Sequence, residues 1–570
     1  MKKLLKYLRG YEKESIIGPL FKMLEASFEL IVPIIMAKII DVGIKNQDTT
    51  YILKCGAILV LLGVLGLSCS LTAQYFAAKA ALGFGTALRK DLFQHINSFS
   101  YSELDVMGTT TLITRITSDI NQAQSGVNLV LRLFLRSPFI VIGAFIMAFT
   151  ISPKITIIFA IAIPVLALVI YGVVAYTIPL YKKVQKKLDL VSKSTRENLA
   201  GVRVVRAFSR QEAEKEEFHE SSEALYQLQM FVGKISALLN PVTYMIVNLA
   251  IIAIIWQGGL QVDAGVISQG EVTALVSYMT QILLALIALS NLVVSFTKAT
   301  ASAGRINDVF AIHTSLTDDG ASIPTKVEGA DKIQFNQVDF FYKNSKEPSL
   351  SDISFSVKTG ETIGIIGGTG SGKSTLVNLI PRFYDTTKGT VCYDGVEVSK
   401  YPFATLRGKI GIVPQKAVVF RGTIRDNMKW GNKDATDEEI YRALEIAQAK
   451  EFVDAKEDGL DTMILQGGKN LSGGQRQRLT IARALVGNPE VLILDDSASA
   501  LDYATDAKLR MAIAKNTNNM TVFIVSQRAA SMMHADQIIV LDDGKIAGIG
   551  THDVLLEQCE IYKEIYSSQL

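Results

Sequence analysis

Long apolar stretches dominate the first half of the chain. Six of them reach the roughly 20 residues that an α-helix needs to cross a lipid bilayer. They lie near residues 16–42, 52–80, 125–150, 155–178, 231–257 and 271–299. A buried helix of a soluble protein can resemble one such stretch, and the one from Ile155 to Ile178 contains no charged residue. Six in succession predict an α-helical membrane domain with six spans over residues 1–304.

Lys and Arg residues collect on one side of the predicted spans. They precede the first span and are frequent in two long connections, near residues 81–124 and 179–230, whereas the alternate connections are short and poor in them. Because positive charge favours the cytoplasmic side of a membrane, both termini and both long connections are predicted to be cytoplasmic. Apolar residues at helical spacing predict that the spans continue as helices, with a turn at each tip that contacts a cytoplasmic domain. Ordinary loops are the alternative.

Two pairs of ionisable residues stand out inside the predicted spans. Glu25 and Glu29 are four residues apart in the first span, and Arg132 and Arg136 have the same spacing in the third. Residues four apart share one face of a helix, and charges within a membrane usually face a partner or a wet cavity. These residues either line a transport path or pair across helices, and the sequence leaves both interpretations open.

The composition agrees with a membrane protein and argues against several other classes of protein. Charged residues make up only 20% of the 570 residues, below the roughly 25% of a soluble domain, and apolar residues make up 49%. The net charge of +3 does not indicate nucleic-acid binding. The four cysteines, Cys55, Cys69, Cys392 and Cys559, show no CxxC spacing, so neither a disulfide framework nor a zinc site is expected.

The chain changes character after Arg305. A polar linker over residues 305–330 precedes short strand-like runs, and a second domain is predicted over residues 331–570. There the apolar strand ETIGIIG leads into GGTGSGKST and a helix, which is the strand–loop–helix context of a phosphate-binding P-loop in an α/β domain. The candidate nucleotide-binding residues of this loop are Gly367, Gly368, Thr369, Gly370, Ser371, Gly372, Lys373, Ser374 and Thr375.

The residue types around the P-loop indicate a nucleotide with Mg²⁺. Glycines let backbone N–H groups approach phosphate oxygens. Lys373 is expected to reach the β/γ-phosphates, and Ser374 is expected to hold Mg²⁺. The run VLILDD ends in two carboxylates, of which Asp495 is the expected acidic residue for Mg²⁺. An aspartate that only caps the following turn is the alternative for Asp495.

A second arrangement suited to an anion lies in the run LSGGQRQRLTIARAL. A serine and two glycines precede an apolar helix, and so offer a hydroxyl, backbone amides and a helix N-terminus. Because the P-loop already holds phosphates, we interpret this arrangement as serving a nucleotide held by another subunit. A simple helix N-cap with a glycine turn is the alternative. The residues are Leu471, Ser472, Gly473, Gly474 and Gln475.

With six predicted spans, a P-loop, LSGGQ and VLILDD, the whole chain resembles a half-transporter of the ATP-binding cassette (ABC) exporters. The resemblance implies a domain-swapped dimer in which each of two ATP molecules lies between the P-loop of one chain and LSGGQ of the other. It implies that Tyr342 stacks on adenine and that Gln415 contacts Mg²⁺ and the attacking water. It also implies coupling helices around residues 101–108 and 203–210, and a D-loop from Ser499 to Asp502.

Three positions depart from the catalytic pattern of that family. Asp496 stands where the family has a Glu as general base, and Gln527 stands where it has the switch His. Gln466 replaces a Glu before LSGGQ. Neutral drift is the alternative, but two of the three changes fall on the γ-phosphate side of one site. Hydrolysis at this chain's own P-loop is therefore expected to be slow, while binding of ATP and Mg²⁺ is retained.

These departures predict one subunit of a heterodimeric exporter in the cell membrane, similar to the bacterial multidrug type. A partner half-transporter with an intact base would use this chain's LSGGQ to form one competent ATP site. The expected cargo is a hydrophobic or amphipathic small molecule. The alternatives are a lipid, peptide or siderophore transporter of the same fold, a homodimer, or an ATP-gated channel or sensor. A soluble P-loop ATPase is excluded by the six predicted spans.

Overall fold

The computed structural model describes residues 1–318, 324–343, 345–497, 501–516 and 519–569. The chain forms two compact units. The helical unit comprises Met1–Asn97 and Thr110–Ile312, and the α/β unit comprises Ser98–Thr109 and His313–Leu570.

The helical unit is built from long helices in succession. The α-helices before residue 311 are α1 (Glu12–Lys38), α2 (Thr49–Asn97), α3 (Tyr101–Met107), α4 (Thr109–Thr114), α5 (Ile120–Leu133), α6 (Arg136–Ile151), α7 (Pro153–Ala200), α8 (Val202–Ala207), α9 (Gln211–Ala237), α10 (Leu239–Asp263) and α11 (Gln269–Phe310). Of these, α3 belongs to the α/β unit. The last helix, α11, continues past residue 304, where the sequence predicts the end of the membrane domain.

Within the described residues, five helical stretches are long and apolar enough to cross a membrane. They are Thr49–Asn97, Thr109–Ile151, Pro153–Ala200, Gln211–Asp263 and Gln269–Phe310. The first predicted span is helix α1, which is not among the five and carries Lys22, Glu25 and Glu29 in its middle. The helical membrane domain is therefore confirmed, and a membrane-crossing role for α1 stays a prediction.

Helices α2 and α7 are much longer than a bilayer requires. Helices α2 and α7 contain 49 and 48 residues. At about 1.5 Å per residue, each exceeds by far the roughly 30 Å of a hydrocarbon core. Both helices continue past the predicted ends of their spans, at residues 80 and 178, as the sequence predicts.

Small residues bring α1 and α2 together. On α2, Ala73, Ala77 and Ala80 are completely buried and recur at spacings of four and three residues, so that they share one face. A Cβ atom added at Gly18 of α1 would lie 3.6 Å from the Cβ atom of Ala77, which is ordinary van der Waals contact. Small side chains allow such close approach of helices in a membrane, where packing rather than water exclusion drives association.

Three of the four ionisable residues singled out in the spans form ion pairs. The Lys22 ammonium contacts the Glu25 carboxylate at 2.5 Å. The Nη2 group of Arg136 donates to both carboxylate oxygens of Glu29, at 2.8 Å each. Arg132 makes no ion pair within the described part of the chain. Pairing across helices therefore accounts for Glu29 and Arg136, and pairing within α1 accounts for Glu25.

The α/β unit contains two main sheets. Its strands are β1 (Ile333–Phe340), β2 (Leu350–Val357), β3 (Thr362–Gly367), β4 (Lys388–Tyr393), β5 (Val396–Glu397), β6 (Ile410–Val413), β7 (Gly422–Thr423), β8 (Met463–Ile464), β9 (Val491–Asp495), β10 (Thr521–Val525), β11 (Gln537–Asp542) and β12 (Lys545–Gly550). One sheet has the order β2-β1-β4-β5, and the larger has the order β12-β11-β3-β10-β9-β6. In the larger sheet β11, β3, β10, β9 and β6 are parallel.

The α/β unit also contains α-helices after residue 372. They are α12 (Lys373–Leu379), α13 (Phe403–Gly408), α14 (Ile424–Met428), α15 (Asp437–Ile446), α16 (Lys450–Asp454), α17 (Gly473–Val486), α18 (Tyr503–Asn516), α19 (His552–Gln558) and α20 (Glu560–Ser567). Because β3, β10 and β9 are adjacent and parallel, their carboxyl ends at Gly367, Val525 and Asp495 meet at one edge. Ligands bind at such an edge in open α/β sheets.

The first predicted coupling segment packs within the α/β unit. It forms α3, whose Tyr101 ring stacks on Phe383 with centroids 4.5 Å apart. The hydroxyl of Tyr384 donates to the carboxylate of Asp105 at 2.7 Å. The second predicted segment forms α8 in the helical unit.

Candidate functional site

The P-loop between β3 and α12 has a backbone that requires glycine. Gly370 and Gly372 have φ of 86° and 95°, in the left-handed region that other residues rarely adopt. A Cβ atom at Gly372 would lie 2.7 Å from the carbonyl oxygen of Ser349. A Cβ atom at Gly368 or Gly370 would meet nothing within 4 Å, so the loop is open on that side. This is the form of a cradle whose backbone amides can reach a phosphate.

Lys373 lies across this cradle. Its ammonium donates to the carbonyl oxygens of Gly367 at 3.0 Å and Gly368 at 2.6 Å. Burial holds the pKa of Lys373 below its usual value, although the carboxylates of Asp496 and Asp495 oppose that shift. With those two carboxylates close by, the ammonium supplies a positive charge where phosphates would bind.

The oxygen atoms beside the loop fit Mg²⁺. The Ser374 hydroxyl donates to the Asp495 carboxylate at 2.9 Å. Burial raises the pKa of Asp495, while the hydrogen bond from Ser374 and the charge of Lys373 lower it. A cation and its phosphates would favour the ionised form of this carboxylate. A hydroxyl, a carboxylate and the Gln415 amide oxygen are hard ligands of the kind that Mg²⁺ prefers.

One cavity of about 290 Å³ brings most of the predicted residues together. It is lined by Tyr342, Ser349, Thr369, Gly370, Gly372, Lys373, Ser374, Thr375, Gln415, Asp495, Asp496, Val525, Ser526 and Gln527. Gly367, Gly368 and Ser371 belong to the loop but do not line this cavity. Ser349 and Ser526 line the cavity as well, and no sequence motif indicated them, although Ser526 directly precedes Gln527 and follows strand β10.

The residues expected on the γ-phosphate side face one another. Asp496 follows β9 with φ of 46°, and its N–H donates to the carbonyl of Val525 at 2.9 Å. The side-chain amide of Gln415 donates to the Asp496 carboxylate at 3.3 Å. Gln527 lines the same cavity, one residue beyond Ser526 at the end of β10. A carboxylate and two amides thus stand where hydrolysis would require a base.

Tyr342 lines the cavity just after β1, and it is half-buried. Its hydroxyl lies 3.0 Å from that of Thr375. Its ring meets Phe340 and Tyr384 edge-on, with centroids 4.9 and 5.5 Å away. Edge-on packing leaves a ring face available to a planar base, so the geometry suits stacking on adenine.

Replacement of Tyr342 by Ala should weaken ATP binding by about 1–3 kcal/mol, the range for base–aromatic stacking. A fluorescent ATP analogue titrated into the purified chain measures this loss. Tyr342→Phe is the matched control: it keeps the ring and should keep the affinity. If Tyr342→Ala lowers the melting temperature but not the affinity, the tyrosine serves packing alone.

The LSGGQ residues lie elsewhere in the α/β unit. Ser472 caps α17, and its hydroxyl accepts a hydrogen bond from the N–H of Gln475 at 3.2 Å. Ser472 and Gly473 are exposed, and Leu471 is buried. None of the five residues from Leu471 to Gln475 lines the P-loop cavity. The D-loop prediction at Ser499 falls partly outside the described residues. Within one chain, therefore, the LSGGQ residues and the P-loop do not share a cavity.

Comparison with known proteins covers both units. Residues 15–286 match the family described as ABC transporter transmembrane region, and residues 350–499 match the family described as ABC transporter. An uncharacterised ABC transporter ATP-binding protein of Bacillus subtilis (strain 168) is 37% identical over 569 residues, covering 100% of this chain and 98% of that protein. A probable multidrug resistance ABC transporter ATP-binding/permease protein of the same strain is 33% identical over 485 residues, covering 85% of this chain and 82% of that protein.

The fold is also found among solved structures. The structure of a bacterial Atm1-family ABC exporter with ATP bound matches with a TM-score of 0.80 at 22% identity, over 98% of each chain. The sequence matches reach across both units, and the structural match covers nearly the whole chain. The chain therefore belongs to the ABC transporters, as a membrane protein of the exporter fold whose ATP-binding domain couples ATP hydrolysis to transport.

Proposed function

We propose that the chain is one subunit of a heterodimeric ABC exporter and that its own P-loop site hydrolyses ATP slowly. The observation that carries this proposal is the pair Asp496 and Gln527, which face the P-loop cavity where the family has Glu and His. Asp496 is held towards Gln415 by a 3.3 Å hydrogen bond.

The chemistry of these two side chains supports slow turnover. Asp is shorter than Glu by one C–C bond, or roughly 1.5 Å. A misplacement of about 1 Å can cost on the order of 10²-fold in rate, and a general base contributes about 10²–10⁴-fold. Gln527 can donate an N–H group but cannot take up a proton or carry a charge. Binding of ATP is not affected in the same way, because Lys373, Ser374 and Asp495 are present and line the same cavity.

The intact LSGGQ supports a partner that is not a second copy of this chain. Two copies of this chain would combine two complete signatures with two weak bases. A partner with Glu and His at its own P-loop would form one competent site with this chain's Ser472 and Gly474, and the second site would bind ATP and rarely hydrolyse it. The proposed cargo is a hydrophobic or amphipathic compound, and one relative is named a probable multidrug resistance transporter.

The purified chain by itself should bind ATP but turn it over more slowly than ~1 s⁻¹, the low end of typical enzymes. Its ATPase activity and its binding of a fluorescent ATP analogue are measured side by side, with Lys373→Ala as the background for both. Turnover of ~1 s⁻¹ or more by the isolated chain contradicts the weak site.

A double variant separates a heterodimer from a homodimer. Asp496→Glu combined with Gln527→His restores the family residues, and LSGGQ is already intact. A homodimer of this variant would contain two complete sites, so its ATPase would rise. We expect no rise in the isolated chain, because without its partner half-transporter no second LSGGQ completes its P-loop site. A clear rise would contradict the heterodimer.

A further inference from the structure

A polar stripe runs along the third predicted span. Gln124, Asn128, Arg132 and Arg136 recur at four-residue spacing and are all half-buried. Helix α5 ends at Leu133 and α6 begins at Arg136, but the two residues between them keep right-handed helical φ and ψ. The four side chains therefore share one face.

This face is directed at neighbouring helices of the helical unit. The side chain of Gln124 packs on Gly85 of α2. A Cβ atom added to that glycine would lie only 2.1 Å from the Oε1 atom of Gln124. Arg136 donates to the Glu29 carboxylate of α1. Gln281 of α11 donates to the backbone carbonyl of Glu29 at 3.3 Å. One end of the stripe thus contacts α2, and the other contacts α1 beside a contact of α1 with α11.

Arg132 is the uncompensated charge of this stripe. The stripe contains two guanidinium groups, and of these only Arg136 forms an ion pair among the described residues, with Glu29. The Nε of Arg132 and the Oδ1 of Asn128, one turn away, are buried without a hydrogen-bond partner among the described residues. An unpaired charge within a membrane span is costly and usually marks a functional site.

We propose that Arg132, together with Asn128, binds the anionic head group of an amphipathic substrate. A guanidinium presents a planar fork of donors that matches a carboxylate, phosphate or sulfonate. An anion would compensate Arg132, and the apolar surroundings of the span would receive the rest of the molecule. This inference names the cargo class of the proposed exporter, and it therefore rests on that function.

Binding of charge-matched probes tests the site. The full chain is purified in nanodiscs as the dimer in which it is isolated, and probe fluorescence is titrated without ATP. A dansyl-labelled fatty acid is compared with a dansyl-labelled alkyl trimethylammonium of equal length, and a short-chain fluorescent phosphatidylglycerol is compared with the phosphatidylcholine analogue. Each anion should bind more tightly than its counterpart. Arg132→Gln should weaken anion binding roughly 10- to 100-fold, the value of a charged hydrogen bond.

Variants and outcomes distinguish this site from a structural arginine. Arg132→Lys keeps the charge and should restore most of the anion affinity. Lys154→Gln removes an exposed cation at the start of α7 and should change neither binding nor basal ATPase. An Arg132 effect on the phosphatidylglycerol probe alone identifies a lipid, and an effect on the fatty acid alone identifies a free amphipath.

Two results overturn the inference: equal binding of each anion and its counterpart, or anion affinity unchanged in Arg132→Gln. The comparison of probes on the wild-type chain tests the preference for anions even if the Arg132→Gln variant does not fold. Binding of anions that depends on Arg132, without ATP-driven movement of any probe, would sustain the site and contradict the export function. ATP-driven movement of the cationic probe alone, without such binding, would contradict only the anion site.

Discussion

Gly474→Asp in this chain should reduce the ATPase of the complete heterodimer by on the order of 10²–10³-fold, the loss typical when one electrostatic stabiliser of a transition state is removed. In the proposed dimer, the LSGGQ of this chain contacts the γ-phosphate held by the partner. A carboxylate placed there would repel that phosphate in a poorly solvated cleft. Transport should fall with the ATPase activity.

The same substitution should leave the fold intact. Gly474 lies in the first turn of α17, which begins at Gly473. A negative charge is favourable near a helix N-terminus, so Gly474→Asp should not melt the helix. Gly474→Asn is the matched control, because it has nearly the same shape without the charge and should retain more activity. Ser472→Ala should also reduce activity severely, but it removes a helix cap as well and costs about 0.5–2 kcal/mol of stability.

Asp496→Ala tests the other ATP site of the proposed dimer, and its expected effect is small. Its site contributes little hydrolysis in the proposed dimer, so the co-purified complex should keep most of its ATPase. Each variant is assayed in the same complex with its partner half-transporter. Loss of activity in Asp496→Ala, with activity preserved in Gly474→Asp, would reverse the assignment of strong and weak sites.

Gly367→Ala should disrupt the P-loop at its first residue, where the chain pairs with strand β11. A Cβ atom at this position would lie 2.1 Å from the carbonyl oxygen of Leu541 and 2.6 Å from the Ser371 hydroxyl. Leu541 is paired with Gly367 between β11 and β3, so the backbone cannot yield without separating two strands. We expect a loss of stability of about 1–3 kcal/mol, the usual cost of overpacking, together with a large loss of ATP affinity.

Gly368→Ala is the neighbouring control. A Cβ atom there would meet nothing within 4 Å, so stability should match that of the wild type. Thermal unfolding of the full chain, with and without a fluorescent ATP analogue, measures both effects. Equal stability and affinity in the two variants would show that the close approach of β3 and β11 does not constrain the loop.

Much of the fold could be predicted from local patterns in the sequence. The long apolar stretches predicted membrane helices because a span must satisfy its own backbone hydrogen bonds and therefore has a characteristic length and composition. The P-loop was recognisable for a similar reason: its glycines, Lys373 and Ser374 are consecutive, and phosphate binding depends on that short segment. Helix α1 was less clear, since Lys22, Glu25 and Glu29 interrupt its apolar run.

The sequence by itself determined the two kinds of domain and the position of the P-loop, because each depends on neighbours within a few positions. Only the tertiary structure decided which distant groups meet. The parallel pairing of β9 with β10 brings Asp496 and Gln527 to one cavity. The packing of α6 on α1 gives Arg136 the carboxylate of Glu29 and leaves Arg132 unpaired among the described residues. Such partnerships depend on the order of strands and the arrangement of helices, and the spacing of residues along a chain does not specify either.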